Sequence, residues 1–511
     1  MIRNLEAADS LDLATDILVI GGGTVGLAVA VELARRGQTV ICVESGLARQ
    51  EVEEHPLNEV TQSGTAYQGA AHGRFRCLGG TSTRWGGALI PFQPGDLASA
   101  HWPVAYEELI VHLPEVGRLF GLAPGDYSAG GLDWRLSDFE PRLAKWPVFA
   151  KRNIANLLGE ALQSTPGLEI FLDATATDFA VEQDRLTHVT ARSLNGGRIL
   201  VRAREVIFSA GAIETTRLLL LLDRQNGGKI FAPDNQLGRG FSDHLSVVVA
   251  DLDPIDRRKL NRVAGFRFEA KGAMRNLRFE LADATPLRDK VAPCFAHIAF
   301  DSEESGGFNA LRETFRYLQK RSLPPVSVFL DLAADLPWLA RAVWWRFVER
   351  RLLYPDRATI QLHMVAEQKD DPDNRISLSS DRCDSFGQPL ANIHWTVTAQ
   401  DQENLAHAVS AFACAWENSA LAALAKIRPR PPEELHQALV HSGGIYHPVG
   451  STRMGDSPEN SVVDADLRPY RLKNVTVLAT SVLPRSGGAN PTMMLFLLAY
   501  RCMDRLAPKT G

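Results

Sequence analysis

Cysteine is scarce in this chain and follows no pattern. The six residues, Cys42, Cys77, Cys294, Cys383, Cys414 and Cys502, are scattered over 511 positions with no C-x-x-C pair, no zinc spacing and no C-x-x-C-H haem site. That excludes a readable disulfide framework, a zinc module and a covalently attached haem. Cys42 in an apolar strand and Cys502 in an apolar helix read as buried thiols. The usage favours a reducing, cytoplasmic compartment. The opening Met1-Ile2-Arg3-Asn4-Leu5-Glu6 lacks the apolar core of a secretory signal. No run of 18 uncharged apolar residues suits a membrane span. A basic excess is missing too: 55 Lys and Arg face 60 Asp and Glu, a net charge of -5, so nothing marks nucleic acid as a partner. No metal-ligand cluster is legible.

What is present is length, and glycine in particular places. A chain of 511 residues exceeds one ordinary core, so two domains or one large discontinuous unit are expected. Ile17 to Ile20 is an apolar run suited to a buried parallel strand. Gly21, Gly23 and Gly26 follow as G-x-G-x-x-G, with Thr24 and Val25 between them. Leu27 to Arg36 has helical periodicity, Gly37 stops it, and a second strand over Thr39 to Val43 ends at Glu44 and Ser45. This is a complete βαβ unit for binding a dinucleotide. The first glycine permits the tight turn, the second lets backbone approach a pyrophosphate, and the third lets helix and strand pack closely. The helix N-terminus offers N–H groups to phosphates. Glu44 is placed to accept from a ribose hydroxyl and disfavours a 2′-phosphate. The unit does not separate FAD from NAD.

Five further segments, in order, carry a resemblance. They are Arg76-Cys77-Leu78-Gly79-Gly80-Thr81-Ser82-Thr83-Arg84-Trp85-Gly86-Gly87; Val206-Ile207-Phe208-Ser209-Ala210-Gly211-Ala212-Ile213-Glu214-Thr215; Leu237-Gly238-Arg239-Gly240-Phe241-Ser242-Asp243-His244; Tyr446-His447-Pro448-Val449-Gly450-Ser451; and Val475 to Pro484 running on to Gly487-Gly488-Ala489-Asn490-Pro491-Thr492. Together with the first turn they resemble the glucose-methanol-choline (GMC) oxidoreductases. They are most similar to its sugar-oxidising branch of pyranose oxidases and bacterial glucoside dehydrogenases.

The resemblance implies an α/β fold: a discontinuous Rossmann-like FAD domain over 14–95, 155–250 and 443–511, with a sheet-rich substrate domain over 96–154 and 251–442. It implies FAD bound by the glycine turn, by Glu44 and Ser45, by the loop with Gly80, Thr81, Trp85, Gly86 and Gly87, by Ala176, Ala210 and Gly211, and by Thr480, Ser481, Asn490, Pro491 and Thr492. Arg84 stands where fungal pyranose oxidases carry the histidine that links to the flavin, which implies non-covalent FAD. Gly86 replaces a threonine of that branch, which leaves oxygen reactivity open. The C-terminal pair implies His447 as the base for a hydroxyl proton and Asn490 as the group orienting the same oxygen, with the hydride passing to flavin N5. Histidine suits that role because its ordinary pKa lies nearest neutrality. The last helix, starting after Pro491, would stabilise negative charge at the flavin. His244 reads as structural.

The expected activity is oxidation of a secondary alcohol, a sugar or glycoside hydroxyl, with oxygen or an external carrier taking the electrons. A primary, non-sugar alcohol is the rival substrate. A non-catalytic FAD subunit and a membrane-surface adaptor are the rivals from other classes. Glu367 and Gln368 either reach substrate hydroxyls or lie on a polar sheet face. Arg485 either binds a substrate anion or serves a structural ion pair.

Between these motifs the chain gives only coarse signals. Residues 168–208 alternate as short strands with turns at Glu182-Gln183-Asp184 and Asn195-Gly196-Gly197, expected to form a small sheet over the adenosine. A helix is expected over Thr215 to Leu222. Strand-like pieces fall at 266–268, 294–300, 359–365 and 393–397. Residues 336–354 read as one basic, aromatic, amphipathic helix capped by Asp335 and started by Pro337. Such a helix either packs its apolar face on its own domain or makes peripheral contact with an anionic membrane.

Overall fold

Four buried apolar residues in a row, Ile17 to Ile20, have no polar face to offer solvent and belong inside a sheet covered on both sides. In the computed structural model they end strand β1 (Ser10–Ile20), followed by helix α1 (Thr24–Arg35) and strand β2 (Val40–Val43). β1 and β2 pair in parallel, Ile17 opposite Val40 and Ile20 opposite Val43, which completes the expected unit. β1 starts earlier than the apolar run because Ser10 to Thr15 continue the ladder along β3 (Arg198–Phe208). Their alternating exposure hides them from a search for apolar runs. The structure describes the chain apart from residues 51–53, 130–135, 232–235, 303–305, 320–322, 442–443 and 510–511.

The first sheet runs Ile2–Asn4, Leu168–Leu172, β2, β1, β3, Arg185–Arg192, Thr175–Glu182, with Val475–Val477 also pairing on β3. The segment expected as a separate small sheet is instead continuous with this one. Arg185–Arg192 pairs antiparallel with β3, Val189 opposite Val201, because β3 extends past the parallel core and leaves an edge to be filled. Helix α2 (Ala212–Gln225) leaves β3 after Gly211 and is longer at both ends than expected.

The second sheet is built from β4 (His244–Pro254), β5 (Met274–Leu281), β6 (Cys294–Asp301) and β7 (Thr359–Glu367). Its order is Arg267–Phe268, β5, β6, β7, β4, Ala425–Pro429, and Phe139–Trp146 pairs along β5. Helix α3 (Arg257–Ala264) follows β4. A three-stranded sheet joins Arg375–Cys383, Pro389–Trp395 and Val60–Gly64. The strand expected at 393–397 therefore starts at Pro389 and ends at Trp395.

Two hydrophobic cores form, one around each large sheet. Helical residues 106–120 pack in the first. Phe120 meets Phe496 of the last helix, α7 (Thr492–Leu506), edge to face at 5.1 Å, although the expected division assigns 96–154 to the second domain. Phe139 and Leu143 do join the second core.

Between β6 and β7 stand α4 (Gly307–Gln319), α5 (Val326–Ala334) and α6 (Leu336–Trp344). The single helix expected over 336–354 ends early. A π-helical turn follows over Trp345–Glu349, and Arg350 adopts a left-handed φ of 53°. Asp335 does not cap α6; its carboxylate accepts the Gly307 N–H at the start of α4, 3.1 Å away. Among the described residues no helix is long and apolar enough to cross a membrane.

Candidate functional site

The glycines of the first turn separate by role. Gly21 has φ 107°, and a Cβ there would lie 2.5 Å from the Ser209 carbonyl oxygen. A Cβ on Gly26 would lie 2.0 Å from the Gly21 carbonyl oxygen, so this position closes α1 onto β1. Gly23 has open space, the nearest atom to its Cβ position lying 4.0 Å away.

The turn opens into a cavity of about 230 Å³. Gly21, Gly23, Thr24 and Val25 line one end, with Glu44 and Ser45 beside them. Gly80, Thr81 and Trp85 run along it, and Ala176, Ala210 and Gly211 form another wall. Thr480, Pro491 and Thr492 close the far end together with His447. Gly26, Gly86, Gly87, Ser481 and Asn490 are not part of this lining. The Cβ positions of Gly86 and Gly87 press on Trp146 and Arg152, and Ser481 accepts from the Thr452 hydroxyl at 2.6 Å.

The cavity suits a dinucleotide. The N-terminal ends of α1, α2 and α7 all reach its wall, offering N–H groups that have no acceptor within their own helices. Gly80 passes so close that a Cβ would sit 2.9 Å from Gly23 Cα. The buried Glu44 accepts the Gly22 and Gly46 N–H groups, one on each carboxylate oxygen, both at 2.8 Å. Burial pushes its carboxyl up, against those two bonds. Each oxygen keeps a lone pair for a ribose hydroxyl.

Arg74, Arg76 and Glu214 line the same cavity and were not singled out from sequence. Arg76 donates to Ser45 Oγ at 2.8 Å and to Glu214 at 2.7 Å. Despite burial, Arg76, Arg217 and Arg74 hold the Glu214 carboxyl down at about 2. Their signal was position: Arg76 and Glu214 lie inside two of the quoted glycine segments, and Arg74 stands two residues before the first.

At the far end four side chains meet in one chain of hydrogen bonds. His244 Nε2 lies 2.8 Å from the Gly487 carbonyl oxygen. A carbonyl only accepts, so this nitrogen carries the proton. Burial pushes His244 down to about 4, so at neutral pH its Nδ1 is bare. His447 Nδ1 lies 3.1 Å from that bare nitrogen and must donate to it. The His447 Nε2 is then left with its lone pair, 3.3 Å from Asn490 Nδ2. The amide is oriented from its other side, where Arg278 Nη2 donates to Asn490 Oδ1 at 2.9 Å. A guanidinium only donates, so the amide N–H must face His447. Burial, His244 and Arg278 together hold His447 well below the ordinary histidine range.

The sequence reading brought His447 and Asn490 together and missed the rest. His244, read as structural, sets the tautomer of His447. Arg278 belongs to no motif and comes from the middle of β5. It is buried, stacks over Phe295 at 4.1 Å, and its Nε and Nη1 have no partner. Asp243, His244 and His447 also bring potential metal-ligand atoms within 4.8 Å of one another. Asp243, however, is already engaged: Oδ1 accepts the His244 and His447 backbone N–H groups and Oδ2 the Tyr67 hydroxyl at 2.7 Å. The cluster has the bonding of a proton network.

Glu367, Gln368 and Arg485, the candidate substrate residues, lie outside the cavity lining. Gln368 is buried and uses its amide fully, accepting from Trp395 Nε1 at 2.8 Å and donating to the Thr396 carbonyl at 2.7 Å. Glu367 accepts the Gly487 N–H at 2.7 Å and faces Arg485 across 3.8 Å. Burial pushes Glu367 up to about 7. Arg485 is thus in the ion pair that was one of its two readings.

Residues 370–499 match the family model described as GMC oxidoreductase. A 2-methyl-1,2-propanediol dehydrogenase of Mycolicibacterium austroafricanum is 22% identical, covering 96% of this chain and 95% of its own length. A 6'''-hydroxyparomomycin C oxidase of Streptomyces lividus is 25% identical, covering 97% and 92%. Among solved structures, pyridoxine 4-oxidase from Mesorbium loti superposes with a TM-score of 0.59 at 16% identity, over 97% of this chain and all of its own. A formate oxidase does so with a TM-score of 0.57 at 14% identity, covering 97% and 98%.

Proposed function

We propose that this chain is a GMC oxidoreductase, a reading supported by the family match over residues 370–499 and by the fold shared along nearly the whole chain, and that it oxidises a secondary alcohol, a sugar or glycoside hydroxyl, to a carbonyl with bound FAD. FAD in the cavity supplies the acceptor for the hydride; the remaining steps fall to side chains. His447 Nε2 takes the hydroxyl proton. As the imidazole becomes charged, its Nδ1–H stays on His244, so the ring does not turn. Asn490 donates to the same substrate oxygen and holds the carbon in place. Arg278 keeps the amide in the orientation that makes this donation available. The N-terminus of α7, beside Pro491 and Thr492, favours negative charge at this end of the cavity by about 0.3–2 kcal/mol.

The observation that carries this reading is the 3.3 Å approach of Asn490 Nδ2 to a His447 Nε2 whose proton is on the other ring nitrogen. A C-glycoside 3-oxidase of Arthrobacter globiformis, 26% identical over 26% of this chain, supports the glycoside class. The diol relative favours a second reading. Only one hydroxyl of 2-methyl-1,2-propanediol sits on a carbon bearing hydrogen, and that alcohol is primary.

In this proposal residues 14–95, 155–250 and 443–511 bind FAD while 96–154 and 251–442 shape the substrate side; the two large sheets support the division, whereas helical residues 106–120 pack in the first core and Tyr67 and Ala70 in the second. FAD is held without a covalent bond. Arg84, at the attachment position of the resemblance, directs its guanidinium to the Phe75 ring 5.7 Å away. Acid precipitation should therefore leave the yellow colour in the supernatant.

Anaerobic mixing with a panel of sugars, glycosides and primary alcohols, following loss of flavin colour, tests the function. Bleaching by glycosides supports the first reading and bleaching by primary alcohols alone the second. A yellow protein that no alcohol bleaches contradicts both. Repeating the panel with air or with an external dye reads the electron acceptor.

A further inference from the structure

β6 and β7 are neighbours in one antiparallel pair, in register from Cys294 opposite Ala366 to Asp301 opposite Thr359. A short turn would close such a pair. Instead 57 residues, 302–358, leave the sheet and return to the same place. Their described part forms α4, α5, α6 and the π-helical turn, gathered on a small core of Phe308, Trp338, Trp345 and Leu353.

The outward side of this excursion is apolar. Of the 17 large apolar side chains exposed among the described residues, 10 lie within it. Val326, Leu330, Leu336, Val343, Trp344 and Phe347 each leave more than half of their surface in water. Folding does not account for that, since the sheet would close without the excursion. Exposed apolar side chains concentrated in this way in one excursion mark a contact site.

Its rim is basic. Recesses between α3 and α6 are lined by Arg257, Arg258, Arg341 and Trp344. Over 256–262 and 341–356 eight lysines and arginines face three acids, in a chain whose net charge is -5. Arg262 reaches from α3 to within 5.8 Å of the Trp345 ring and pairs with Glu349, so the two elements form one surface. We propose that this face docks on an anionic phospholipid bilayer. Trp344, Phe347 and Val343 enter the headgroup boundary while Arg258, Lys259 and Arg350 meet the phosphates. A second copy of the chain is the poorer occupant, because a symmetric contact would bring two basic rims together.

The proposal stands apart from the catalytic reading. β7 runs from Thr359 at the excursion to Glu367, which lies opposite His244. Eight steps of about 3.3 Å separate the docking face from the histidine cluster by roughly 26 Å.

Flotation of the full-length, FAD-loaded protein with phosphatidylcholine vesicles, and with vesicles also containing phosphatidylglycerol, tests it. Binding is expected only to the anionic vesicles, weakening as salt is raised. Val343→Ser, Trp344→Ser and Phe347→Ser combined should weaken it at least tenfold while flavin content stays unchanged. Arg258→Glu with Lys259→Glu should weaken it by roughly fivefold per charge removed. No association with either vesicle, or equal association with both, overturns the proposal. So does a wild-type dimer in sedimentation that the triple serine variant dissolves, which assigns the face to a second copy.

Discussion

The two ends of the cavity are built by different means. The nucleotide end is mostly backbone: glycine Cα atoms, helix N-termini, and one acid held by two peptide N–H groups, much of it drawn from residues 17–46. The far end is side chain. His244, Arg278, His447 and Asn490 come from four separated segments and meet only because β4, β5 and the C-terminal return are packed together. The first end is sensitive to an added carbon atom, the second to the position of a proton.

The largest effect is expected from Gly21→Val. At φ 107° with the Ser209 carbonyl 2.5 Å from its Cβ position, the new side chain cannot be placed. No soluble yellow protein should be recovered. Gly23→Ala sharpens the contrast: no protein atom is closer than 4.0 Å to its Cβ position, so the chain should fold, with any loss appearing in flavin content.

Next in size is Arg278→Met. It releases the Asn490 amide, and a hydrogen bond from a charged group is worth about 1.5–3 kcal/mol, so kcat should fall roughly 10- to 150-fold. The melting temperature should hold or rise, because the buried guanidinium leaves Nε and Nη1 unpaired. A large drop in melting temperature together with full activity would make Arg278 purely structural.

The pH profile should shift more modestly. His447 is held below its ordinary 6.5, so its proton-accepting form persists as pH falls. The acid limb of kcat/KM should therefore lie below pH 6.5. Because Arg278 contributes to that depression, Arg278→Met should move the limb upward. The smallest effect is expected from Arg485→Leu. Its guanidinium is about a third exposed and lies 3.8 Å from the buried Glu367, whose carboxyl, already pushed up to about 7, can take up a proton when the arginine is lost. Neutral and acidic substrates should be affected alike, within about fivefold.

Legibility from sequence follows the same division. The βαβ unit could be read because strand, turn and helix occupy consecutive residues, and their spacing is set by local geometry. His447 and Asn490 were found because each sits in a glycine-rich segment of a known kind. Arg278 could not be found that way: it lies in a β-strand of ordinary composition, and only the register of the second sheet brings it to Asn490. His244 reads as structural from sequence, and its bond to His447 could not be foreseen because the two lie about 200 positions apart. The helix over 336–354 was drawn too long because periodicity continues past Trp344, whereas Arg350 turns left-handed and Arg351 bridges to Arg267. The apolar outer face of the excursion could not be deduced either; amphipathic spacing does not reveal whether a helix buries its apolar side.

The most direct measurement is the anaerobic rate of flavin bleaching in His447→Ala beside the wild type, each with full flavin content and the same alcohol from the panel. If the bare Nε2 of His447 accepts the hydroxyl proton, the variant should keep its yellow spectrum and bleach about 10²- to 10⁴-fold more slowly. Equal rates in the two proteins would contradict that role.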